Sequence, residues 1–213
     1  MSDARAAIFG QLRAGLGKGD ATARRAALEA ALAQPPRGPQ PQRPADLAAR
    51  FRGRAEALSS TVDAVAARAD VPAAVLRYLG ARGLPPQAVA TPELAGADWG
   101  ALSLRFAAAV DADSVGISGC FCAIAETGSL MLLSAPETPA TVSLLPETHI
   151  ALVDVHRIVP TMEDAFALLR TERGRLPRAV NFVSGPSRTG DIEQTIVLGA
   201  HGPRHVHLIL IGS

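Results

Sequence analysis

The sequence is poor in lysine, cysteine, aromatic side chains and long apolar runs. Lysine occurs once, at Lys18, against 20 arginines, and aromatic residues make up 4% of the 213 residues. The formal net charge of +1 is not the basic footprint that binding to a nucleic-acid backbone leaves. No apolar run approaches the ~20 residues of a membrane span, and the first residues lack the apolar core of a signal peptide. We therefore expect a cytoplasmic protein with no nucleic-acid partner.

The two cysteines, Cys120 and Cys122, are separated by a single residue. This spacing is too short for an ordinary disulfide in an extended segment, and it favours buried packing over a redox role. Two thiolates also cannot supply the four ligands of a typical iron–sulfur cluster. We therefore expect this chain to bind no cofactor and no metal, so any cluster must be held by a partner protein.

What the sequence does contain is typical of a globular chain, with 48% apolar and 19% charged residues. Alanine- and leucine-rich stretches with Asp3 and Asp20 as N-caps predict an N-terminal helical arm, followed by a proline-rich linker over residues 34–44. The apolar spacing predicts a helix over 45–69 and a shorter one over 72–79. We thus divide the chain into an arm and linker over residues 1–44 and an α/β domain over 45–213, which opens with a helical layer over 45–85.

From about residue 87 the pattern changes to short apolar runs separated by turns, and a sheet-rich core is predicted over 86–213. One helix interrupts the runs, with Thr161 as its N-cap and Gly174 after its last turn. Several runs are apolar throughout, as in strands covered on both faces, which predicts a mostly parallel sheet flanked by helices. The predicted strands cover residues 87–91, 102–110, 114–118, 129–134, 149–159, 178–184, 196–200 and 204–212.

The first candidate site lies in the stretch "AIAETGSLMLL". Glu126 stands at the end of an apolar run, beside a turn whose residues Thr127, Gly128 and Ser129 are predicted to bind the ligand. A carboxylate in this position can act as a base, a nucleophile or an acceptor that positions a ligand, and strand-end loops often carry function. The alternative is a plain hairpin turn that leaves Glu126 exposed or capping.

The second candidate site lies in the stretch "FVSGPSRTGDIE". Hydroxyl groups, glycines that allow close approach of backbone N–H groups and one arginine fork together suit a phosphate or a carboxylate. The alternative is a structural loop in which the hydroxyls cap the next element and the arginine pairs with an acidic neighbour. The predicted ligand-binding residues of this stretch are Ser184, Gly185, Ser187, Arg188, Thr189 and Asp191.

The third candidate site is the stretch "GAHGPRHVHL". His201 lies in a glycine-flanked turn with Gly202, where it could titrate near neutral pH or bind an anion. His205 and His207 are two apart in a predicted strand and hence lie on one face. A metal site is disfavoured because no carboxylate or cysteine follows the spacing of a known site. We take Glu126 and His201 as catalytic candidates and Gly202 as part of the ligand site.

Taken together, these three stretches resemble the LUD-domain family. Their order, after a helix-rich N-terminal region, is similar to the lactate utilization C branch of that family. The resemblance implies a fold like that of the NagB/RpiA/CoA-transferase superfamily. It also implies a part in bacterial oxidation of L-lactate to pyruvate alongside iron–sulfur partner proteins, with this chain as the cluster-free member. It supplies no catalytic mechanism.

Three functions remain open at this point. The first is a component of a lactate-oxidising system that binds a small anionic ligand in a pocket. The second is a stand-alone transferase or isomerase acting on an acyl-CoA or phosphorylated substrate, and the third is an assembly factor for iron–sulfur proteins. For a shared pocket, Glu126, Arg188 and His201 are expected to converge on one cleft.

Overall fold

A computed structural model describes residues 2–15, 20–33, 38, 45–189 and 197–212. Contacts within the chain divide it into two units, Met1–Gln42 and Arg43–Ser213. The first unit contains α1 (Ser2–Gly15) and α2 (Ala21–Ala33). Asp20 caps α2 by accepting a hydrogen bond from the backbone N–H of Thr22 at 2.8 Å. Of the predicted linker over residues 34–44, the structure describes Gly38 alone.

The second unit alternates strands with helices. Its helices are α3 (Leu47–Ala57), α4 (Val71–Ala81), α5 (Thr141–Leu144) and α6 (Met162–Arg173). Its strands are β1 (Thr61–Val65), β2 (Gln87–Ala90), β3 (Ser103–Phe106), β4 (Val115–Ser118), β5 (Cys122–Ile124), β6 (Ser129–Leu133), β7 (Thr148–Asp154), β8 (Ile158–Val159), β9 (Val180–Val183), β10 (Arg188–Thr189), β11 (Val197–Leu198) and β12 (His205–Ile211). In the described ranges, no helix is both long and apolar enough to cross a membrane.

The main sheet has six strands in the order β1-β12-β7-β4-β2-β3. Every neighbouring pair in it is parallel, so all six strands begin at one edge and end at the other. The prediction of a mostly parallel sheet flanked by helices is confirmed. The two edges are called the amino edge and the carboxyl edge below.

Alternating side chains of the central strands enter two separate cores. In β7, Ile150 and Leu152 pack with α4 on one face of the sheet, whereas Ala151 and Val153 pack with α3 on the other. Because both faces of β7 and β12 are covered, these strands are apolar almost throughout, which is the pattern that the sequence shows. Phe51 and Ala55 of α3 are fully buried in the second core.

A smaller sheet in the order β8-β5-β6-β9 lies beyond that second core. Strands β5 and β6 form an antiparallel hairpin, and their outer side packs on α6 through Ala165 and Leu169. Thr161 caps α6 by accepting from the backbone N–H of Asp164, and Gly174 ends it with φ of +66°. Both ends of α6 were predicted correctly from these two residues.

The predicted helix over 45–69 is wrong in its second half. The helix ends at Ala57, and Thr61–Val65 is instead the edge strand β1, paired with β12. Val62 and Val65 fit a helical spacing in the sequence, but Ser59 turns the chain with φ of +70° and starts a strand. The predicted strand over 149–159 is also divided, because a 3-10 turn at Val155–Arg157 separates β7 from β8.

Candidate functional site

Two of the predicted loops meet the C-terminal end of α3 near the amino edge of the sheet. Gly128, in the turn of the β5–β6 hairpin, has φ of +70°, and a Cβ there would lie 2.6 Å from the backbone nitrogen of Ala55. Gly185 has φ of +79°, and a Cβ there would lie 2.4 Å from the carbonyl oxygen of Leu58. Both glycines are therefore required for close packing on α3. We call these loops, with the His201 turn, the motif cluster.

Arg188 is engaged by the protein itself. Its Nη2 donates to the carbonyl oxygen of Leu58 at 3.1 Å and to the hydroxyl of Ser59. Leu58 is the C-cap of α3, where unpaired carbonyl groups and the helix dipole favour a cation. In this arrangement Arg188 stabilises the end of a helix, a structural role that differs from the predicted pairing with an acidic neighbour.

The hydroxyl groups of the motif cluster are also joined to one another and to the backbone. The Oγ atoms of Ser129 and Ser184 lie 2.5 Å apart. The hydroxyl of Ser187 accepts from the backbone N–H of His201 at 3.2 Å, and Gly202 packs beside Ser187, where a Cβ would lie 3.5 Å from the serine Cβ. Thr127 differs, because its Oγ1 is buried without a hydrogen-bond partner.

Glu126 is held by its backbone rather than by its carboxylate. Its N–H donates to Pro160 O at 3.0 Å, and its C=O accepts from Arg54 Nε at 3.0 Å. In the part of the chain that the structure describes, no hydrogen bond or ion pair joins its carboxylate to Arg188 or His201. Asp191 and Gly190 lie outside the described residues. Thr189 pairs with Val197 in the β10–β11 ladder.

The remaining two histidines of the third stretch face α4, each with its own partner. His207 is joined to the hydroxyl of Thr61 at 2.8 Å and stacks on Tyr78 with ring centroids 4.0 Å apart. Burial lowers the pKa of His207 to about 4. His205 accepts from Arg82 Nη2 at 3.1 Å. These separate contacts give both side chains structural roles.

A cavity of about 1240 Å³ opens at the carboxyl edge of the sheet. It lies next to the neighbouring strands β2 and β4. The chain continues from β2 to β3 on one side of this pair, and from β4 to β7 on the other side. Ligands of open α/β sheets bind in the crevice at such a switch point. Residues at the ends of these strands, Thr91, Ser118, Gly119 and Asp154, line it. We call it the carboxyl-edge cleft, and of the described residues predicted from the sequence as site residues, none lines it.

Glu93 projects into the cleft from the 3-10 turn Pro92–Leu94, which follows β2. Its Oε1 accepts from the backbone N–H of Gly119 at 3.1 Å and from the hydroxyl of Thr91 at 3.2 Å. A Cβ on residue 119 would lie 2.6 Å from that oxygen, so a glycine is needed for the contact. Within the described ranges, Oε2 of Glu93 has no hydrogen-bond partner.

Arg157 is fixed on the opposite side of the same floor. Its Nε donates to Phe121 O at 2.9 Å, and its two terminal nitrogens donate to the carboxylate of Glu172 at 2.5 and 3.0 Å. Its guanidinium also lies 4.8 Å from the centre of the Phe121 ring. The hydrogen bond from Arg157 holds the pKa of Glu172 below its usual value. Three of the five N–H donors of the guanidinium are used, which leaves two.

Cys120 lies between Gly119 and Phe121, whose backbone groups hold Glu93 and Arg157. Burial raises the pKa of its thiol well above the usual value, and the carboxylates of Glu93 and Asp154 raise it further while Arg157 opposes them. The same cause raises the pKa of Cys122 to about 11. A thiol that stays protonated is a poor nucleophile, and Cys120 lines the floor of the cleft.

A buried histidine supports the cleft from behind. His149 in β7 is fully buried, and its Nε2 lies 2.8 Å from the hydroxyl of Ser118, at the end of β4. Burial lowers the pKa of His149 to about 4. The neutral imidazole therefore orients the Ser118 hydroxyl at the edge of the cleft.

The cleft is not recognisable in the sequence because its residues carry little local signal. Glu93 and Thr91 follow a short strand, and Ser118-Gly119 resembles an ordinary turn. The feature that brings them together is the strand order, and the run "SVGISG" (114–119) indicates only a strand that ends at a turn. A rule that polar residues after consecutive parallel strands belong together would have selected Thr91 and Ser118.

Comparisons with known proteins identify relatives that match slightly less than half of the chain. An uncharacterized protein of Neisseria meningitidis is 42% identical over 96 residues, which cover 45% of this chain and 41% of that protein. Lactate utilization protein C of a Geobacillus species is 40% identical over 101 residues (46% and 42%). Its counterpart in Bacillus subtilis is 38% identical over 103 residues (47% and 43%). The matched segment thus spans less than half the length of each of these relatives.

A solved structure shows the same fold. A DUF162 family protein from Deinococcus radiodurans matches 81% of this chain and 100% of its own, with a TM-score of 0.58 and 23% identity. The LUD domain family model matches residues 105–211, half of the chain, from the end of β3 to the end of β12. The chain belongs to the LUD domain family.

Proposed function

We propose that this chain takes part in lactate utilization and binds a small carboxylate ligand in the carboxyl-edge cleft. Support for the role comes from the relatives in Geobacillus and Bacillus subtilis that carry the name lactate utilization protein C. Since the match covers only part of their length, the role is a proposal for this chain.

The position of Arg157 is the observation that carries the ligand part of the proposal. A charged N–H donor of arginine makes a strong hydrogen bond to a carboxylate, and Arg157 keeps two such donors while Glu172 and Phe121 orient its guanidinium. Arginines that are held in place lose less side-chain entropy when a ligand binds. Arg68, Arg173 and Arg175 also line the cleft, and with Arg157 they balance the four carboxylates that line it.

The motif cluster is the alternative location for the anion. There, Glu126 and His201 would be the catalytic residues, and Arg188 and the surrounding hydroxyl groups would bind the anion. The unpartnered hydroxyl of Thr127 supports that alternative, whereas the contacts of Arg188 with Leu58 and Ser59 weigh against it. Isothermal titration calorimetry with L-lactate on Arg157→Gln and Arg188→Ala distinguishes the two locations.

We further propose that electrons pass through partner proteins that hold iron–sulfur clusters, with no cluster on this chain. The sequence contains two cysteines, and a typical cluster requires four thiolates. An affinity-tagged chain expressed with its neighbouring genes should retain brown, iron-containing partners. Retention of iron by the purified chain alone would contradict this part of the proposal.

Growth on lactate tests the role directly. A Bacillus subtilis strain that lacks its lactate utilization protein C receives this chain, the Arg157→Gln variant or an empty vector. We expect growth on L-lactate as sole carbon source with the wild-type chain only, and equal growth of all three strains on glucose. Failure of a well-expressed wild-type chain to restore growth, with restoration by the strain's own protein as the positive control, would count against the role.

A further inference from the structure

The floor of the carboxyl-edge cleft places a hydrogen-bond acceptor and a cation on either side of Cys120. The acceptor is Oε2 of Glu93, and the cation is the guanidinium of Arg157, which keeps two free N–H donors. Glu93 accepts from the backbone N–H of Gly119 and Arg157 donates to the carbonyl of Phe121, and Gly119 and Phe121 flank Cys120. Neither group was selected from the sequence.

Glu93 is built into the cleft rather than carried loosely on its surface. One carboxylate oxygen is held by Gly119 and Thr91, and its backbone N–H donates to the carbonyl of Glu137 at 3.1 Å. Because Oε1 is fixed, the direction of Oε2 is fixed as well. A glycine at position 119 is needed for this arrangement.

We propose that this pair selects a 2-hydroxy acid over the corresponding 2-oxo acid. The ligand carboxylate accepts a hydrogen bond from one free N–H donor of Arg157, and the ligand hydroxyl donates to Oε2 of Glu93. An ionised carboxylate only accepts hydrogen bonds. A 2-oxo acid offers a carbonyl oxygen at this point, so two acceptors face each other and Glu93 loses a partner. The inference rests on the proposed function, since it assigns the selectivity of the same cleft.

Other charged groups of the cleft fit this assignment less well. Asp154 accepts from the backbone N–H of His156 at 2.9 Å and serves as the cap of the turn after β7. Glu172 is already paired with Arg157. The side chains of the three rim arginines Arg68, Arg173 and Arg175 make no hydrogen bond or ion pair with the described residues, so holding a ligand with them costs side-chain entropy.

The size of the cleft sets the range of ligands to test. At about 1240 Å³ it exceeds the ~300–1000 Å³ of pockets that bury a drug-sized ligand. A three-carbon acid at Glu93 and Arg157 therefore leaves room for a longer substituent at C2. The selectivity should extend to larger 2-hydroxy acids such as L-phenyllactate, tested against phenylpyruvate.

The experiment measures dissociation constants of the full chain for L-lactate and pyruvate by calorimetry. We expect the wild type to prefer L-lactate by about tenfold or more, because a site built for a hydroxyl rejects an analogue that lacks it. In Glu93→Ala the preference should disappear. In Glu93→Gln the amide can turn its NH₂ group toward the ligand, so the preference should shift toward pyruvate, which a purely structural role would not produce. Arg157→Gln should weaken the binding of both acids.

Glu147→Gln is the matched control, since Glu147 is an exposed carboxylate at the amino edge, 3.9 Å from Arg204. It should bind both acids like the wild type. If L-lactate binds but Glu93→Ala keeps the wild-type preference, the inference fails while the proposed function stands. If the folded wild-type chain binds neither acid, both the inference and the proposed ligand fail, and the growth test reports on the role independently.

Discussion

The two edges of the main sheet differ in how their polar groups are used. At the amino edge, the motif cluster directs its hydroxyls and Arg188 to other parts of the chain, and its glycines let backbones pack within a few ångströms of α3. At the carboxyl edge, Glu93 and Arg157 are also held, but each keeps hydrogen-bonding capacity that faces an open cavity. The first arrangement stabilises the fold, and the second can bind a ligand.

The difference shows that residue types suited to ligand binding also suit the attachment of loops to a helix. Carbonyl groups at a helix C-terminus need donors just as an anion does, and Arg188 supplies one. Whether such a group binds a ligand therefore depends on what remains unpaired after folding. The predictions below alter one edge at a time.

The largest effect is expected from Gly185→Ala at the amino edge. The new Cβ would meet the carbonyl oxygen of Leu58 at 2.4 Å, at a residue whose φ is +79°. Backbone strain and overpacking together should lower the free energy of unfolding by about 3 kcal/mol or more, measured by urea denaturation. Gly174→Ala is the control, because its φ is +66° but nothing lies within 4 Å, so a loss of only about 1 kcal/mol is expected. Equal losses would show that the loop does not press against α3.

The next effect is a loss of stability in mild acid, which two buried histidines near the beginnings of β7 and β12 cause. The folded pKa values of His149 and His207 are lowered to about 4, below the unfolded value of about 6.5. Between pH 6.5 and 4 the unfolded state therefore binds more protons, so stability is full above pH 6.5 and falls as the pH decreases. At pH 5 each histidine should cost about 2 kcal/mol.

Denaturation curves at pH 7.5 and pH 5 measure this loss, and His207→Asn should remove about half of it. The asparagine oxygen can still accept a hydrogen bond from Thr61. An unchanged pH dependence in that variant would mean that His207 titrates normally in the folded chain.

A smaller change in stability, without a change in binding, is expected for Arg188→Ala. The variant loses the bonds to Leu58 and Ser59, and because the side chain is exposed the cost should be about 1 kcal/mol. The affinity for L-lactate should be unchanged. Arg204→Ala, which breaks a single exposed ion pair, should cost less than about 0.5 kcal/mol. Loss of lactate binding in Arg188→Ala at unchanged stability would instead favour the motif cluster as the ligand site.

The smallest effect is expected for Thr127→Val. The hydroxyl of Thr127 is buried without a partner, so replacing it with a methyl group of the same shape should be neutral or should stabilise the chain by up to about 1 kcal/mol. Thermal unfolding with and without L-lactate measures both properties. A decrease in the lactate-induced shift would identify Thr127 as a ligand contact.

Much of the fold follows from local pattern. The runs that became β4, β6, β7 and β12 are apolar because both sides of these strands are covered, and α6 is bounded by its own capping residues Thr161 and Gly174. By contrast, β1 was predicted as helix, since Val62 and Val65 fit a helical spacing as well as a strand, and pairing with β12 decides between them.

The site was harder to predict, because it too depends on contacts between residues that are far apart in the sequence. The glycines and hydroxyls of the motif cluster stand close together in short stretches of the sequence. The loops that contain them do meet in the structure, but their glycines pack against the end of α3. Glu93 and Arg157 are 64 positions apart along the chain. They become neighbours of Cys120 only through the order β7-β4-β2, which no local spacing encodes.

The central claim is that the carboxyl edge, rather than the amino edge, holds the ligand. A single titration of the ¹⁵N-labelled full chain with L-lactate, followed by amide chemical shifts, tests it most directly. The account predicts saturable shifts at Gly119, Cys120 and Glu93, with Ser184, Ser187 and Arg188 unmoved. Shifts confined to Ser184, Ser187 and Arg188, or no saturable shift at either edge, would contradict it.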